Sequence, residues 1–122
     1  MLVTSNFPLN QNLTNKLNIP KSWTLLGSIT PDTPNQIVLS DNVNNYDWIA
    51  LLVHQGYASI DLIMPSYITK FNVTSRFSFN HGKPSGGWGM SGFVDIGETN
   101  FMLSEHGVEG WEFVALELYG IK

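Results

Sequence analysis

A strict alternation of apolar and polar residues over positions 71–80 constrains the fold of this chain more than any other feature of its sequence. Phe71, Val73, Ser75, Phe77 and Phe79 fall on one side of the alternation, and Asn72, Thr74, Ser78 and Asn80 fall on the other. Successive side chains of a β-strand point to opposite faces, so a period of two indicates a strand with one buried face. The same period excludes an amphipathic helix over this segment.

Short apolar runs elsewhere in the chain are separated by turn residues at the spacing typical of all-β proteins. These runs cover residues 23–29, 36–39, 48–53, 59–64, 88–96, 99–103 and 111–121. They are too short, and too often bounded by Gly, Pro, Asn and Asp, to form helices. The sequence therefore predicts an all-β fold, an antiparallel, jelly-roll-like β-sandwich of about eight short strands with at most one helical turn.

The 122 residues correspond to one domain preceded by an arm. Residues 1–20 contain two prolines and several apolar side chains but no usable period. We expect an extended arm or linker that lies on the domain or on a neighbouring subunit, with a disordered leader as the alternative. Residues 21–122 form the predicted β-sandwich head domain.

The last predicted strand is apolar on both faces except at Glu112 and Glu117. Such a strand belongs in the middle of a sandwich or against another subunit. Only 13% of the residues are charged, which is about half the usual share, so the surface lacks the charge that keeps a small domain monomeric. We therefore expect self-association, with a homotrimer as the expected state.

The charge balance argues against several classes of partner. Six lysines and arginines stand against ten acidic residues, for a net charge of −4, and Arg76 is the single arginine. Because no basic cluster is present to follow a phosphate backbone, nucleic acid is not expected as a partner. No apolar run approaches the ~18 residues that span a bilayer, so no membrane insertion is expected.

The sequence also lacks the common catalytic and metal-binding motifs. It has no cysteine, which excludes disulfides and thiolate ligands. His54, His81 and His106 lie in three segments without the spacing of a metal motif, so no metal and no cofactor are expected. The letters Gly-Met-Ser-Gly at 89–92 resemble a nucleophile elbow only loosely, because the G-x-S-x-G spacing is absent. We expect a protein that is not an enzyme, with a small polysaccharide-degrading domain as the alternative.

The remaining surface composition suits a neutral polar ligand such as a sugar. Aromatic rings stack on the faces of sugar rings, and Asn, Asp and His form hydrogen bonds with hydroxyl groups. Trp23, Trp48 and Trp111 each begin an apolar strand, which favours core packing. Trp88 follows a loop of Gly, Pro and Ser, and it fits the core role and the ligand role equally well.

The candidate saccharide-binding residues come from three predicted loops, which follow the strands that end near residues 39, 79 and 103. They are Asn45, Asp47, His81, Trp88 and His106. If the strands run up and down, these loops share one end of the sandwich. Trp88 then supplies the stacking face, and the other side chains bond hydroxyl groups.

Three short motifs, taken in their order, point to a known family. They are Asn45-Tyr46-Asp47-Trp48-Ile49, Ile63-Met64-Pro65-Ser66, and Gly110-Trp111 ahead of Leu118-Tyr119-Gly120-Ile121-Lys122. In this order they resemble the C-terminal β-sandwich domain of bacteriophage and prophage tail proteins, over residues 23–122. Two positions depart from the family's pattern: Leu118 and Met64 each stand where isoleucine is usual.

The resemblance implies a tail-fibre, tail-tip or baseplate module of the virion, made in the cytoplasm of the bacterial host. Its partners would be a bacterial surface glycan and other tail or baseplate subunits, and the family is commonly trimeric. The motif residues Tyr46, Ile49, Pro65, Tyr119 and Ile121 correspond to strand and turn positions, whereas the family's ligand contacts lie in variable loops. A purely structural tail-fibre or baseplate trimerisation module without a ligand is the alternative.

Overall fold

The computed structural model describes residues 22–67, 75–83 and 87–122, and it shows two antiparallel sheets of four strands each. The first sheet has the order β1-β8-β3-β4, with β1 Trp23–Ile29, β8 Ala115–Ile121, β3 Trp48–Gln55 and β4 Tyr57–Pro65. The second has the order β2-β7-β6-β5, with β2 Gln36–Val38, β7 Asn100–Glu109, β6 Trp88–Ile96 and β5 Ser75–Lys83. The predicted all-β sandwich of about eight strands is confirmed.

The core lies between the two sheets and is built by the inward-facing residue of each alternating pair. In β3, Ile49, Leu51 and Val53 are fully buried, and from the opposite sheet Val94 and Phe101 meet them in the same cluster. A short 3-10 helix spans Val43–Asn45, and Ser66 and Tyr67 also have the 3-10 conformation. No helix in these ranges is long and apolar enough to cross a membrane.

The last strand, β8, lies inside its sheet between β1 and β3. Leu116 and Leu118 point into the core, and the alternate positions face away from it. The position of β8 in the sandwich explains why the residues that face the core are apolar. It does not explain why residues on its outer face are also apolar.

Several strand boundaries differ from those predicted, and three of them differ by three residues or more. The loop predicted from His81 onward is strand as far as Lys83, because Gly82 and Gly89 pair opposite each other and continue the β5–β6 ladder. A Cβ atom on Gly82 would lie 2.6 Å from the Cα of Gly89, so the ladder tolerates only glycine there. β7 extends to Glu109, and the last strand begins at Ala115 instead of residue 111.

Part of the prediction falls outside the described residues. The arm expected over residues 1–20 and the first half of the alternating segment, residues 71–74, are both in this category. Within the described half, the alternation is confirmed: Phe79 is buried and its neighbours Ser78 and Asn80 are exposed.

Candidate functional site

Three aromatic side chains cluster at the end of the sandwich where β3 turns into β4. Tyr57 follows the β3–β4 turn, Trp88 begins β6, and Trp111 lies between β7 and β8. The ring centroids of Tyr57 and Trp88 are 5.5 Å apart at 87°, and those of Trp88 and Trp111 are 5.4 Å apart at 36°. Both separations lie in the range of favourable aromatic pairs. We call Tyr57, Trp88 and Trp111 the aromatic tip.

The aromatic tip presents two of its rings to solvent. Trp111 is 58% exposed and Tyr57 is 48% exposed, whereas Trp88 is half-buried between them. The indole of Trp111 packs closely over Gly56, since a Cβ atom at that glycine would lie 2.3 Å from the ring. The outer ring surfaces are therefore accessible, while the inner surfaces are held in place by packing.

Each aromatic residue of the tip follows a glycine in the left-handed conformation. Gly56, Gly87 and Gly110 have φ angles of 75°, 71° and 81°, and they directly precede Tyr57, Trp88 and Trp111. Glycine adopts this conformation without the steric penalty of other residues. These three dipeptides, each a glycine followed by Tyr or Trp, mark the aromatic tip in the sequence. Composition alone does not identify them.

Tyr57 rests on the buried imidazole of His81, with ring centroids 4.6 Å apart. His81 Nδ1 lies 2.9 Å from Asp61 Oδ2 and 3.1 Å from Ser59 Oγ, and Nε2 lies 3.2 Å from the carbonyl oxygen of Gln55. Ser59 donates its hydroxyl hydrogen to Asp61 at 2.7 Å. Oxygen atoms therefore face both ring nitrogens of the buried imidazole.

A β-bulge brings Asp61 to the histidine. The β3–β4 register pairs Leu51 with Leu62 but Leu52 with Ile60, so Asp61 is the extra residue on β4. Bulges redirect a side chain in this way. The bulge therefore places a carboxylate against a side chain of the opposite sheet and joins the two sheets beneath the aromatic tip.

The fully buried side chain of Gln55 ties the strands of the tip together. Its Nε2 group donates toward the carbonyl oxygens of Gly89 at 3.1 Å and Glu109 at 2.8 Å, and toward that of Trp111. Its Oε1 atom has no partner among the described residues. Gln55 fixes β6, β7 and the start of the β7–β8 connection relative to β3.

Ser59, Asp61 and the buried His81 do not form a nucleophilic triad. In a triad the histidine orients toward a carboxylate through one nitrogen and accepts the nucleophile's proton at the other. Here Ser59 and Asp61 share Nδ1, and Nε2 points to a backbone carbonyl. The arrangement can hold the tip rigid, but it offers no free nitrogen to a substrate.

A shallow polar groove runs along the outer face of β5, β6 and β7. Its wider part has a volume of about 720 Å³ and a smaller part beside Trp88 has about 320 Å³. Asn80, Ser91 and Gly107 border both parts, so the two are continuous. Phe93 and Glu105 line the wider part. Side chains that bond hydroxyl groups thus extend away from the aromatic tip.

The five predicted site residues do not come together as expected. Trp88 belongs to the aromatic tip, but His81 is only 1% exposed and lies in β5, so it is not a loop residue that contacts a ligand. His106 is exposed on β7, where it lines both the wider part of the groove and a separate opening, and its ring stands edge-on to Phe113 at 6.4 Å.

Asn45 and Asp47 lie at the opposite end of the sandwich. They precede Trp48, which pairs with Ile121 and Pro65, whereas the aromatic tip lies where β3 ends at Gln55. The expectation that the three loops share one end is therefore wrong. The physical reason is that β3 runs the full length of the sheet between the two groups of residues.

Asn45 has a structural partner at that opposite end. Its Nδ2 group donates to Asp41 at 2.8 Å, as do the backbone N–H of Asn42 at 2.8 Å and the hydroxyl of Tyr46 at 3.0 Å. These hydrogen bonds, that of Asn45 above all, lower the pKa of Asp41 below its ordinary value of 3.8. Burial, followed by the bond to Asp41, raises the pKa of Tyr46.

The prediction of core packing for three tryptophans is wrong for this chain. Trp23 is 47% exposed, Trp48 is 42% exposed, and Trp111 is the most exposed of the three. Trp23 and Trp48 stand at outward positions of their strands, and Trp111 lies before β8 begins. Sequence reasoning consequently missed Trp111 and Tyr57 as candidates for ligand stacking.

Within the described ranges no group of three His, Cys, Asp or Glu residues is close enough to hold a metal ion. Comparison with models of known protein families finds no match, and comparison with curated proteins finds none either. Function therefore has to be inferred from the residues themselves.

Proposed function

We propose that this chain is a non-catalytic receptor-binding domain of a bacteriophage tail, and that it recognises a saccharide on the bacterial surface through the aromatic tip. One observation carries the saccharide proposal: Tyr57 and Trp111 present exposed ring faces that are held from beneath by Gly56 and His81. Aromatic faces fixed before binding lose little conformational entropy when a ligand stacks on them. The polar groove beside Trp88 supports the proposal with side chains suited to hydroxyl groups.

The assignment to a phage tail is supported by the three motifs that resemble tail-protein domains. It places the chain in the virion as part of a homotrimer that contacts other tail or baseplate subunits. No cofactor and no nucleic acid enter the proposed function. A nucleophilic triad built on His81 is disfavoured because both nitrogens of that side chain are already engaged.

A purely structural tail module is the second candidate. It is favoured by the outer face of the β1-β8-β3-β4 sheet, where large apolar side chains such as Trp23, Leu25 and Ile63 are exposed. A module of this kind assembles through that face and binds no glycan.

Titration of soluble host-surface oligosaccharides, chosen from a glycan array, distinguishes the two candidates. Loss of a stacking ring costs on the order of 1–3 kcal/mol by analogy with base stacking, so we expect Trp111→Ala to weaken binding about tenfold or more. Trp23→Ala is the matched control, because it removes a similarly exposed indole from a different surface. No binding of the unmodified protein to any glycan would favour the structural module, and release of reducing ends from host polysaccharide would indicate an enzyme.

A further inference from the structure

The two outer faces of the sandwich differ in chemistry. The outer face of β5, β6 and β7 carries polar residues such as Ser78, Asn80 and Ser91. The outer face of the β1-β8-β3-β4 sheet carries Trp23, Leu25, Trp48, Ile60 and Ile63, all of them exposed. An antiparallel sheet with one face in water normally alternates apolar and polar residues, and this sheet does not. We call the latter surface the apolar face.

Strand register makes the apolar face continuous across all four strands. Trp23 on β1 pairs with Ile121 on β8, which pairs with Trp48 on β3. In the next outward row, Leu25 pairs with Tyr119. The ring centroids of Trp23 and Tyr119 lie 6.0 Å apart, which joins the two rows on the same side of the sheet.

Very little charge is present on this face. Its polar strand positions are Ser28, Glu117 and His54, and the carboxylate of Glu117 already accepts the hydroxyl hydrogen of Tyr119 at 2.8 Å. No lysine or arginine occupies an outward position in these four strands. A surface with so little charge offers little to select a nucleic acid, an acidic peptide or another charged partner.

The exposed area is close to what a self-association interface needs. Five large side chains that are each about half exposed leave on the order of 500 Å² of apolar surface. That is at the upper end of the largest patch on a typical monomer, roughly 300–600 Å², and it supplies most of the ~800 Å² that each partner contributes to a standard interface. Contacts between identical subunits are also the more apolar kind of interface.

We propose that the apolar face is an interface with a second copy of this chain. A second copy offers a surface of the same size and equally sparse charge, so association buries the exposed tryptophan and isoleucine side chains of this face between neighbouring copies of the assembly. The interface does not depend on the proposed saccharide site, because the aromatic tip lies at the end of the sandwich and outside this face.

The test measures the mass of the full 122-residue chain in solution. We expect light scattering at 10–100 µM to give a multiple of 13.6 kDa, and Ile63→Glu to return the mass to that of the monomer by weakening association about a hundredfold or more, because it buries an unpaired charge. Val38→Glu is the matched control, since Val38 is 76% exposed on β2 of the other sheet, and it should leave the mass unchanged. Circular dichroism shows that both variants are folded.

A second readout does not depend on whether Ile63→Glu folds. The chain has no cysteine, so a single cysteine introduced by Ile63→Cys can form a disulfide only with another copy. We expect mild oxidation to cross-link Ile63→Cys and to leave Val38→Cys monomeric. Two results would overturn the proposal: an unmodified chain that is monomeric at 100 µM, and equal cross-linking of the two cysteine variants. The first result would mean that something other than a second copy covers the apolar face.

Discussion

At the scale of single residues, Trp88 supports the aromatic tip from its centre. Its ring faces those of Tyr57, His81 and Trp111, and its Cβ is the atom that a side chain on Gly110 would meet at 2.5 Å. The sequence left core packing and ligand stacking equally open for this residue. The contacts favour a role in holding the tip together, and in the proposed function the stacking surface is that of Tyr57 and Trp111.

Trp88→Ala should therefore lower stability as well as saccharide binding. Removing a half-buried indole is expected to cost about 2–4 kcal/mol of unfolding free energy, somewhat less than a fully buried one. Denaturant unfolding should show a clear shift of the midpoint, whereas Trp111→Ala should shift it little. If Trp88→Ala leaves the midpoint unchanged and abolishes saccharide binding, Trp88 is itself the stacking residue.

The free energy of unfolding should fall at acid pH as Asp41 becomes protonated. Its folded-state pKa is lowered, first by the hydrogen bond from Asn45 and then by those from Asn42 and Tyr46. Its contribution is therefore fully present above its unfolded pKa of about 3.9 and is lost as the pH falls through the lower folded value. We expect Asp41→Asn to be less stable than the unmodified protein from pH 7 to about pH 4, and the difference to close below that.

Urea unfolding at a series of pH values measures this difference. Asn45→Ala removes the hydrogen bond that lowers the pKa of Asp41 most and leaves the other two in place. We therefore expect a smaller loss of unfolding free energy than for Asp41→Asn, and we expect that loss to disappear over the same acid range. A gap between Asp41→Asn and the unmodified protein that stays constant down to pH 2 would mean that the carboxylate charge contributes nothing at this turn.

At the scale of secondary structure, local pattern predicted most of the strands and missed where some of them end. The alternation around Phe77 and Phe79 identified β5, because burial on one face requires it. The end of β5 was missed because Gly82 and Lys83 have the composition of a loop, and only their pairing with Gly89 and Trp88 keeps them in the sheet. β7 was predicted too short because its second half is exposed and polar.

The glycines before the aromatic residues determine the shape of the tip. Gly56 combines a φ of 75° with a position directly under the ring of Trp111. An alanine there pays about 1–2 kcal/mol for the left-handed backbone, and its methyl group must also displace the indole. We expect Gly56→Ala to destabilise the fold by at least that amount and to change the fluorescence of Trp111.

Gly107→Ala is the matched control for this prediction. Gly107 lies in β7, and a Cβ atom there would meet nothing within 4 Å. Its stability and fluorescence should match those of the unmodified protein. Equal effects of the two substitutions would show that replacing any glycine in this part of the fold has this cost, and that the contact between Gly56 and Trp111 contributes nothing of its own.

At the scale of the whole molecule, the candidate site depends on which strands become neighbours. Asn45 and Asp47 were grouped with Trp88 because all three lie near predicted loops, but a loop's position in the sequence does not say at which end of a sandwich it lies. Conversely, Tyr57 and Trp111 are far apart in the sequence, and the order of strands in the two sheets brings both of them against Trp88. Composition predicted an aromatic, weakly charged surface. It could not predict which of these residues form the aromatic tip and which form the apolar face.

Taken together, the proposed saccharide site and the proposed interface have a consequence for binding to cells. If the copies associate through the apolar face, each assembly carries several aromatic tips, and simultaneous binding to a dense glycan layer strengthens attachment by roughly 10²–10⁴-fold without any new contact at each tip. Ile63→Glu should then bind a soluble oligosaccharide as tightly as the unmodified protein, yet dissociate much faster from a densely coated surface. Trp111→Ala should lose binding in both formats. Surface plasmon resonance at high and low densities of immobilised host polysaccharide measures both effects. If Ile63→Glu and the unmodified protein dissociate from the dense surface at the same rate, self-association does not strengthen glycan binding in this molecule.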